Sequence, residues 1–128
     1  MHAVVQGTGK PLVFLHAFPL SSRMWEGEIN RFSRTHRVIA PDLPGFGGSS
    51  ARPDGFTMET AAQEVLTLLD HLHIEEPVVL AGLSMGGYIL FECVRLFPER
   101  IGGVILAATK ASADSEEGKA GRMKTIEQ

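Results

Sequence analysis

A serine between two glycines is the residue of this chain best placed to do chemistry. Ser84 lies in the stretch Gly82-Leu83-Ser84-Met85-Gly86, which separates two apolar runs. In a Gly-x-Ser-x-Gly turn the serine hydroxyl can project from the end of a strand as a nucleophile, and the flanking glycines avoid a Cβ that would collide with the neighbouring strand and helix. The same residues are compatible with a glycine-rich turn whose serine caps the helix. The surrounding elements favour the nucleophile.

Four short apolar runs predict the strands that position this serine. The runs are near-continuous and do not alternate strictly, which is typical of strands buried on both faces of a parallel sheet. They span residues 11–18, 36–43, 77–83 and 101–109, and a shorter run at 2–7 predicts a fifth strand. The serine follows the third run, at the carboxyl end where functional groups of parallel sheets gather.

Helical patterns connect these runs. Residues 56–74 place apolar side chains on one helical face, with Thr57 as the predicted N-cap. The segment after the serine continues as an apolar helix that Pro98 ends, and residues 21–35 form a weaker helix. Strand–helix–strand alternation predicts an α/β fold, a doubly wound and mostly parallel sheet of about four to five strands with flanking helices. The polar residues 110–128 are predicted to form a loop that leads into a short helix.

Composition limits the possible partners and location. The 128 residues carry a net charge of −3 without the basic stripe that nucleic-acid binding needs. No apolar run approaches the roughly 20 residues of a membrane helix, and the first ten residues lack the pattern of a signal peptide. The single cysteine, Cys93, has no internal disulfide partner and is predicted to be a buried apolar residue. We expect a cytoplasmic protein with no nucleic-acid or membrane partner.

Little in the sequence supports a metal-binding or phosphate-binding site. His71 and His73 would lie on different helix faces, which disfavours metal binding. Residues 45–50 lack the lysine of a phosphate-binding loop, and residues 7–10 lack its spacing. No metal and no organic cofactor is predicted.

Three stretches, in chain order, resemble the α/β-hydrolase superfamily. They are residues 15–19 (LHAFP), residues 41–50 (PDLPGFGGSS) and the glycine–serine turn at 82–86. The family carries His-Gly-x-Pro, Asp-x-x-Gly-x-Gly-x-Ser and Gly-x-Ser-x-Gly at matching places. The chain is also similar to 3-oxoadipate enol-lactonases and small esterases. The resemblance implies a serine hydrolase that forms an acyl-enzyme without a cofactor.

The resemblance also implies roles for individual residues. Ser84 matches the nucleophile, and the backbone N–H groups of Phe18 and Met85 match the two oxyanion-hole donors. One departure is Ala17, where the family mostly has glycine, since alanine resists a positive φ. The residues that match elbow and loop supports are Gly82, Gly86, His16 and Asp42.

The acid and the histidine of the family's catalytic triad do not follow the serine. The family order is serine, acid, histidine, yet all five histidines of this chain precede Ser84, and the only aspartate after it is Asp114. A serine needs a base to attack at neutral pH. The sequence therefore resembles the N-terminal part of an α/β-hydrolase domain, a truncated fold over residues 1–128 in which 110–128 leads toward an absent lid.

Two functions stay open. In the first, the parent enzyme cleaves a small ester or lactone through an acyl-enzyme on Ser84. A serine at the elbow, where dehalogenases and epoxide hydrolases carry aspartate, leaves esterase, lactonase, carbon–carbon hydrolase and cofactor-free haloperoxidase chemistry. In the second, the chain is a catalytically incompetent unit that self-associates, because an open edge at 101–109 would recruit a second copy. We expect almost no activity from the isolated chain and a homo-oligomer, as a two-fold dimer or by exchange of segments.

Overall fold

The computed structural model describes residues 1–127 and contains one five-stranded sheet. Its strand order is β1-β3-β2-β4-β5. β1 is antiparallel to β3, whereas all other neighbouring strands are parallel. The predicted mostly parallel sheet is therefore confirmed, including its fifth strand. The strands are β1 (Ala3–Gln6), β2 (Pro11–Leu15), β3 (Arg37–Pro41), β4 (Val78–Leu83) and β5 (Ile101–Ala107).

Helices connect successive parallel strands. Between β2 and β3, the predicted weak helix is a 3-10 turn, Ser22–Trp25, followed by a short α-helix, α1. α2 joins β3 to β4, α3 joins β4 to β5, and α4 follows β5 as the predicted short helix. No helix within residues 1–127 is both long and apolar enough to cross a bilayer. The helices are α1 (Glu26–Phe32), α2 (Met58–His71), α3 (Met85–Leu96) and α4 (Glu116–Ile126).

Local chemistry fixes where α2 begins and α3 ends. The Thr57 hydroxyl accepts a hydrogen bond from the Thr60 N–H at 3.0 Å, and the Thr60 hydroxyl accepts one from the Thr57 N–H at 3.0 Å. This reciprocal box satisfies two N–H groups of the first turn, so the predicted N-cap is confirmed. α3 stops at Leu96 because Phe97 precedes Pro98, and a residue before proline disfavours the helical conformation.

The core lies on both faces of the sheet. Side chains of β2 alternate between the two layers. Leu12 and Phe14 pack with the 3-10 turn and α1, whereas Val13 and Leu15 pack with α2 and α3. All four are buried, which explains why this run is apolar without alternation.

β5 forms one edge of the sheet and carries apolar side chains that are only partly covered. Val104, Ile105 and Leu106 are 47%, 53% and 45% exposed. Successive strand residues point to opposite faces, so both faces of β5 are exposed. Within the described part of the chain, β4 is the only strand that pairs with β5. β5 therefore presents a free outer edge.

Candidate active site

Ser84 stands at the junction of β4 and α3 in an unusual backbone conformation. Its φ of 51° and ψ of −110° lie in a region that non-glycine residues rarely adopt. The Ser84 N–H donates to the Ala107 carbonyl at 3.0 Å, and its carbonyl accepts from the Gly87 N–H at 2.9 Å and the Thr109 hydroxyl at 3.0 Å. Two of these hydrogen bonds, to Ala107 and from Thr109, therefore hold the strained turn against the end of β5.

The Ser84 side chain does not cap the helix. Among the residues that the structure describes, its hydroxyl makes no capping hydrogen bond to the first turn of α3. Capping is the usual reason for a serine immediately before a helix. A half-buried hydroxyl without that bond is free to serve as a nucleophile.

Three glycines allow the elbow to pack this closely. A Cβ on Gly82 would lie 2.6 Å from the Gly86 carbonyl oxygen, and a Cβ on Gly86 would overlap the carbonyl oxygen of Leu15 in β2. Gly87 has the same restriction, because a Cβ there would overlap the Thr109 side chain. The first turn of α3 thus lies directly against the ends of β2, β4 and β5.

His16 is a buried, neutral support for the loop after β2. Its Nδ1 lies 3.0 Å from the Ala17 carbonyl, and its Nε2 accepts the Leu43 N–H at 3.0 Å. Because Nε2 accepts, the ring proton is assigned to Nδ1, which donates. Burial lowers the pKa of His16, although the bond to Ala17 and the charge of Asp42 oppose this. With both nitrogens engaged, His16 is unsuited to be the base for Ser84.

Asp42 organises the loop after β3. Its carboxylate accepts the backbone N–H groups of Ser22 at 2.7 Å and Gly48 at 2.8 Å, and it lies 2.8 Å from the His2 ring. Burial opposes ionisation, but the hydrogen bonds from Gly48, Ser22 and His2 outweigh it and lower the pKa of Asp42 to about 2. A Cβ on Gly47 would overlap this carboxylate. Asp42 is therefore an ionised structural anchor.

A cavity of about 660 Å³ adjoins the elbow, within the usual range for small-molecule sites. Phe18 and Met85, whose amides match the predicted oxyanion donors, both line it. Ala17 at the adjacent position is buried and donates its N–H to the Met24 sulfur at 3.3 Å. The other main apolar lining residues are Phe46, Phe56, Met58 and Tyr88.

The remaining titratable candidates lie outside this arrangement. His71 ends α2, and His73 follows it in the turn before β4, at the amino end of that strand. The Asp114 carboxylate pairs with Arg122 at 2.5 Å and Lys110 at 3.1 Å, and the pKa of Asp114 is lowered mainly by the hydrogen bond from Arg122. The Asp114 carboxylate is therefore engaged in ion pairs with basic side chains of its own segment.

Cys93 is not a candidate nucleophile. Cys93 is fully buried, as predicted, and burial raises the pKa of its thiol to about 12. Such a thiol is inert as a nucleophile.

Within residues 1–127, no cluster of three or more histidine, cysteine or acidic side chains could hold a metal ion.

Sequence reasoning missed two supports of the elbow and the aromatic wall of the cavity. Thr109 bonds the Ser84 carbonyl, and Gly87 leaves room for the Thr109 side chain. The second glycine of Gly86-Gly87 and the threonine just after β5 were the available signals. Phe46 and Phe56 are by type core or pocket-lining residues, but aromatic residues in a loop do not reveal which cavity they line.

Comparison with known proteins gives consistent matches. Residues 10–123 match the profile of the alpha/beta hydrolase fold. The chain is 40% identical to a soluble epoxide hydrolase of Corynebacterium sp. (strain C12) over 91 residues, which are 71% of this chain and 32% of that protein.

Solved structures agree with this match. An esterase from Thermogutta terrifontis, solved with malate bound, superimposes with a TM-score of 0.93 at 40% identity, over 98% of this chain and 46% of the esterase. An N-acyl homoserine lactone degrading enzyme superimposes with a TM-score of 0.85 at 28% identity, over 98% of this chain and 50% of that enzyme. The chain thus spans half the length or less of the proteins it matches.

Proposed function

Because this chain belongs to the α/β-hydrolase family, we propose that it carries the nucleophile of a serine hydrolase that cleaves a small carboxylic ester or lactone. One observation carries the proposal: Ser84 is held in a strained conformation between β4 and α3, and its hydroxyl does not cap the helix. The Ser84 Oγ attacks the carbonyl carbon, and its proton passes by way of the base to the departing alkoxide, which leaves as the alcohol or, in a lactone, stays attached to the acyl group as a hydroxyl. Water then cleaves the acyl-enzyme ester, which releases the acid and returns a proton to Ser84.

The proposed oxyanion hole uses two backbone amides. Met85 opens α3, so its N–H points out of the helix N-terminus, where the helix dipole favours negative charge. The second amide belongs to Phe18, which lines the same cavity. Two aligned donors stabilise the tetrahedral intermediate more than the planar ester, and each typically lowers the barrier by about 3–4 kcal/mol.

The base for Ser84 is proposed to lie outside these 128 residues. All five histidines precede Ser84 in the chain. His16, the buried histidine of the adjacent loop, has both ring nitrogens in hydrogen bonds. Ser84 and the two amides therefore form the part of the machinery that this chain supplies.

Serine at the elbow favours ester or lactone chemistry over epoxide opening. Among the proteins compared, one is named an epoxide hydrolase, one an esterase and one a lactone-degrading enzyme. The family resemblance implies an aspartate nucleophile in epoxide hydrolases, whereas this chain has Ser84 at the elbow. We also propose a cytoplasmic location, since the single cysteine, Cys93, is buried and has no partner for an internal disulfide.

Chemical rescue tests the proposal. Imidazole in solution replaces the missing base, and p-nitrophenyl acetate supplies the acyl group. We expect wild type to release p-nitrophenol faster as imidazole is added and to carry an acetyl group on Ser84 by mass spectrometry. Ser84→Ala should stay at the rate of imidazole alone, and Ser112→Ala, a change in the exposed tail, should behave as wild type. Equal rates in all three proteins with no acetyl on Ser84 would contradict the proposal.

A second candidate role is that of a self-associating unit, and the free edge of β5 favours it. The strand reads IGGVILA and contains neither charge nor proline, the residues that usually protect an edge. A two-fold axis perpendicular to the sheet would pair β5 with its copy in antiparallel orientation. With Val104 on the axis, Gly103 faces Ile105 of the second copy and Gly102 faces its Leu106. Small residues then lie opposite large ones, which suits close pairing.

A further inference from the structure

Phe46 is the centre of an aromatic wall in the cavity that adjoins the elbow at Met85. Its ring centroid lies 5.9 Å from that of Phe18 and 6.1 Å from that of Phe56, at interplanar angles of 87° and 81°. It also meets the buried His16 ring edge-on at 5.4 Å. Such edge-to-face contacts are favourable and fix the three phenylalanines in one surface. The cavity therefore has a preformed apolar side.

α4 supplies a second part of the cavity lining. Arg122, Thr125 and Ile126 line the cavity, and their spacing places them on one helical face. The Arg122 guanidinium lies 5.8 Å from the centroid of the Tyr88 ring, and it donates to the Tyr88 hydroxyl at 3.4 Å. Arg122 therefore ties α4 to α3 across the cavity.

The two cations that line the cavity, Arg52 and Arg122, are both paired with carboxylates. Arg52 pairs with Glu64, and with Asp54 at 3.1 Å. Arg122 and Lys110 share the Asp114 carboxylate. Both cations that line the cavity are thus held in ion pairs, and neither is free to offset a carboxylate on a ligand.

From the aromatic wall and the paired arginines, we infer that the cavity takes an uncharged ester whose hydrocarbon part, alkyl or aryl, lies against Phe46 and Phe56. The inference rests on the proposed function in one respect, namely that the occupant is the substrate of Ser84. An added carboxylate would lose its hydration against an apolar surface without gaining a free cation. The hydrocarbon part gains by leaving water.

Binding to the Ser84→Ala protein tests the inference without any dependence on catalysis. Dissociation constants of ethyl acetate, butanoate and hexanoate are measured by NMR titration. We expect affinity to rise about fourfold per added methylene, the value for burying one CH₂ group. Ethyl benzoate, the aryl arm, should bind more tightly than ethyl acetate. Affinity that is flat across the series would overturn the inference.

A charged isostere tests the second part of the inference. Monoethyl succinate and ethyl 4-methylpentanoate have nearly the same shape, but only the first carries a carboxylate. We expect the neutral ester to bind at least about tenfold more tightly, a difference of about 1.4 kcal/mol. Tighter binding of the succinate ester would show that Arg52 or Arg122 is available to ligands and would overturn the inference.

Substitutions test where in the cavity the ester binds. In the Ser84→Ala background, Phe56→Ala should raise the dissociation constant of ethyl hexanoate about tenfold. Phe56 is partly exposed, so the fold should tolerate the change. Val94→Ala is the control, since Val94 is similarly exposed on α3 but does not line the cavity. Equal losses in both variants would contradict this assignment.

The ester-binding measurements can succeed or fail independently of the imidazole rescue experiment. If the ester series binds as expected but Ser84 is never acetylated, the proposed function fails and the cavity assignment stands. If Ser84 is acetylated but chain length has no effect on binding, the proposed function stands and the cavity assignment fails.

Discussion

Hydrogen bonds, more than residue type, set the roles of the polar side chains around Ser84. His16 has the side chain of a general base, yet both of its nitrogens are engaged and burial lowers its pKa. Asp42 has the side chain of a triad acid, yet its carboxylate accepts hydrogen bonds from the Ser22 and Gly48 amides and lies beside the His2 ring. Both residues therefore hold the loops that flank the elbow, and neither is available as a base for the proposed nucleophile, Ser84.

Asp42 gives a prediction about stability and pH. Its pKa in the folded protein, about 2, lies below the ordinary 3.8. The ionised carboxylate therefore stabilises the fold above pH 3.8, and this contribution is lost as the pH falls from about 3.8 to about 2. The difference corresponds to about 2 kcal/mol. Urea unfolding of Asp42→Asn at pH 7 should show a loss of about that size, and the gap to wild type should narrow near pH 2.

Asp54→Asn is the matched control for that measurement. Asp54 is exposed and pairs with Arg52 at the surface, where an ion pair contributes little. We expect its unfolding free energy to stay within about 0.5 kcal/mol of wild type. Equal losses in the two variants, or a loss in Asp42→Asn that does not change with pH, would argue against Asp42 as an ionised anchor.

At the level of the elements, the contact between α3 and the sheet decides whether the elbow forms. Gly86 brings the first turn of α3 against the Leu15 carbonyl at the end of β2. The helix N-terminus and the loop that carries Phe18 are thereby held next to each other. The proposed oxyanion hole depends on this approach, because its two amides come from separate elements.

Two glycine-to-alanine changes test this packing. Gly86→Ala should lower the unfolding free energy by about 1–3 kcal/mol or more, because its Cβ meets backbone that cannot move aside. Gly121→Ala in α4 is the opposite case, since no atom lies within 4 Å of its Cβ position. Alanine there should stabilise the helix by up to about 1 kcal/mol. Thermal unfolding followed by circular dichroism measures both. A Gly86→Ala protein as stable as wild type would rule out the close approach.

For the molecule as a whole, the open edge of β5 is the main unsatisfied feature. The other edge strand, β1, is short and only partly apolar in its exposed part, whereas β5 has seven uncharged residues with a free outer side. Exposed apolar edges of this kind favour association. The proposed two-fold pairing would join two five-stranded sheets into one.

Sedimentation tests this pairing. At roughly tens of micromolar, where association is commonly observed, wild type should sediment as a dimer and Ile105→Lys as a monomer. Val94→Lys, a similar change on the exposed side of α3, should remain dimeric. Val104→Cys should form an intermolecular disulfide, because the two-fold axis places this residue opposite itself. A stable monomer of wild type at that concentration would exclude the pairing.

Local patterns in the sequence predicted most of the elements. The apolar runs gave the five strands, and Thr57 gave the start of α2, because both depend on residues close together in the chain. Strand ends were less accurate: the run at 11–18 suggested three more residues than β2 contains. His16 to Phe18 leave the sheet to form the loop beside the elbow, and their residue types do not distinguish that loop from a strand.

The sequence by itself determined the fold class, the position of the Gly-x-Ser-x-Gly turn at the end of a strand and the absence of a histidine after Ser84. Only the tertiary structure decided that the Ser84 hydroxyl leaves the helix uncapped, that Thr109 braces the elbow and that His16 is fully engaged. It also brought together Phe18, Phe46, Phe56 and α4 as one cavity. The physical reason is that secondary structure follows from local periodicity, whereas a site is formed by contacts between residues that are far apart in the chain.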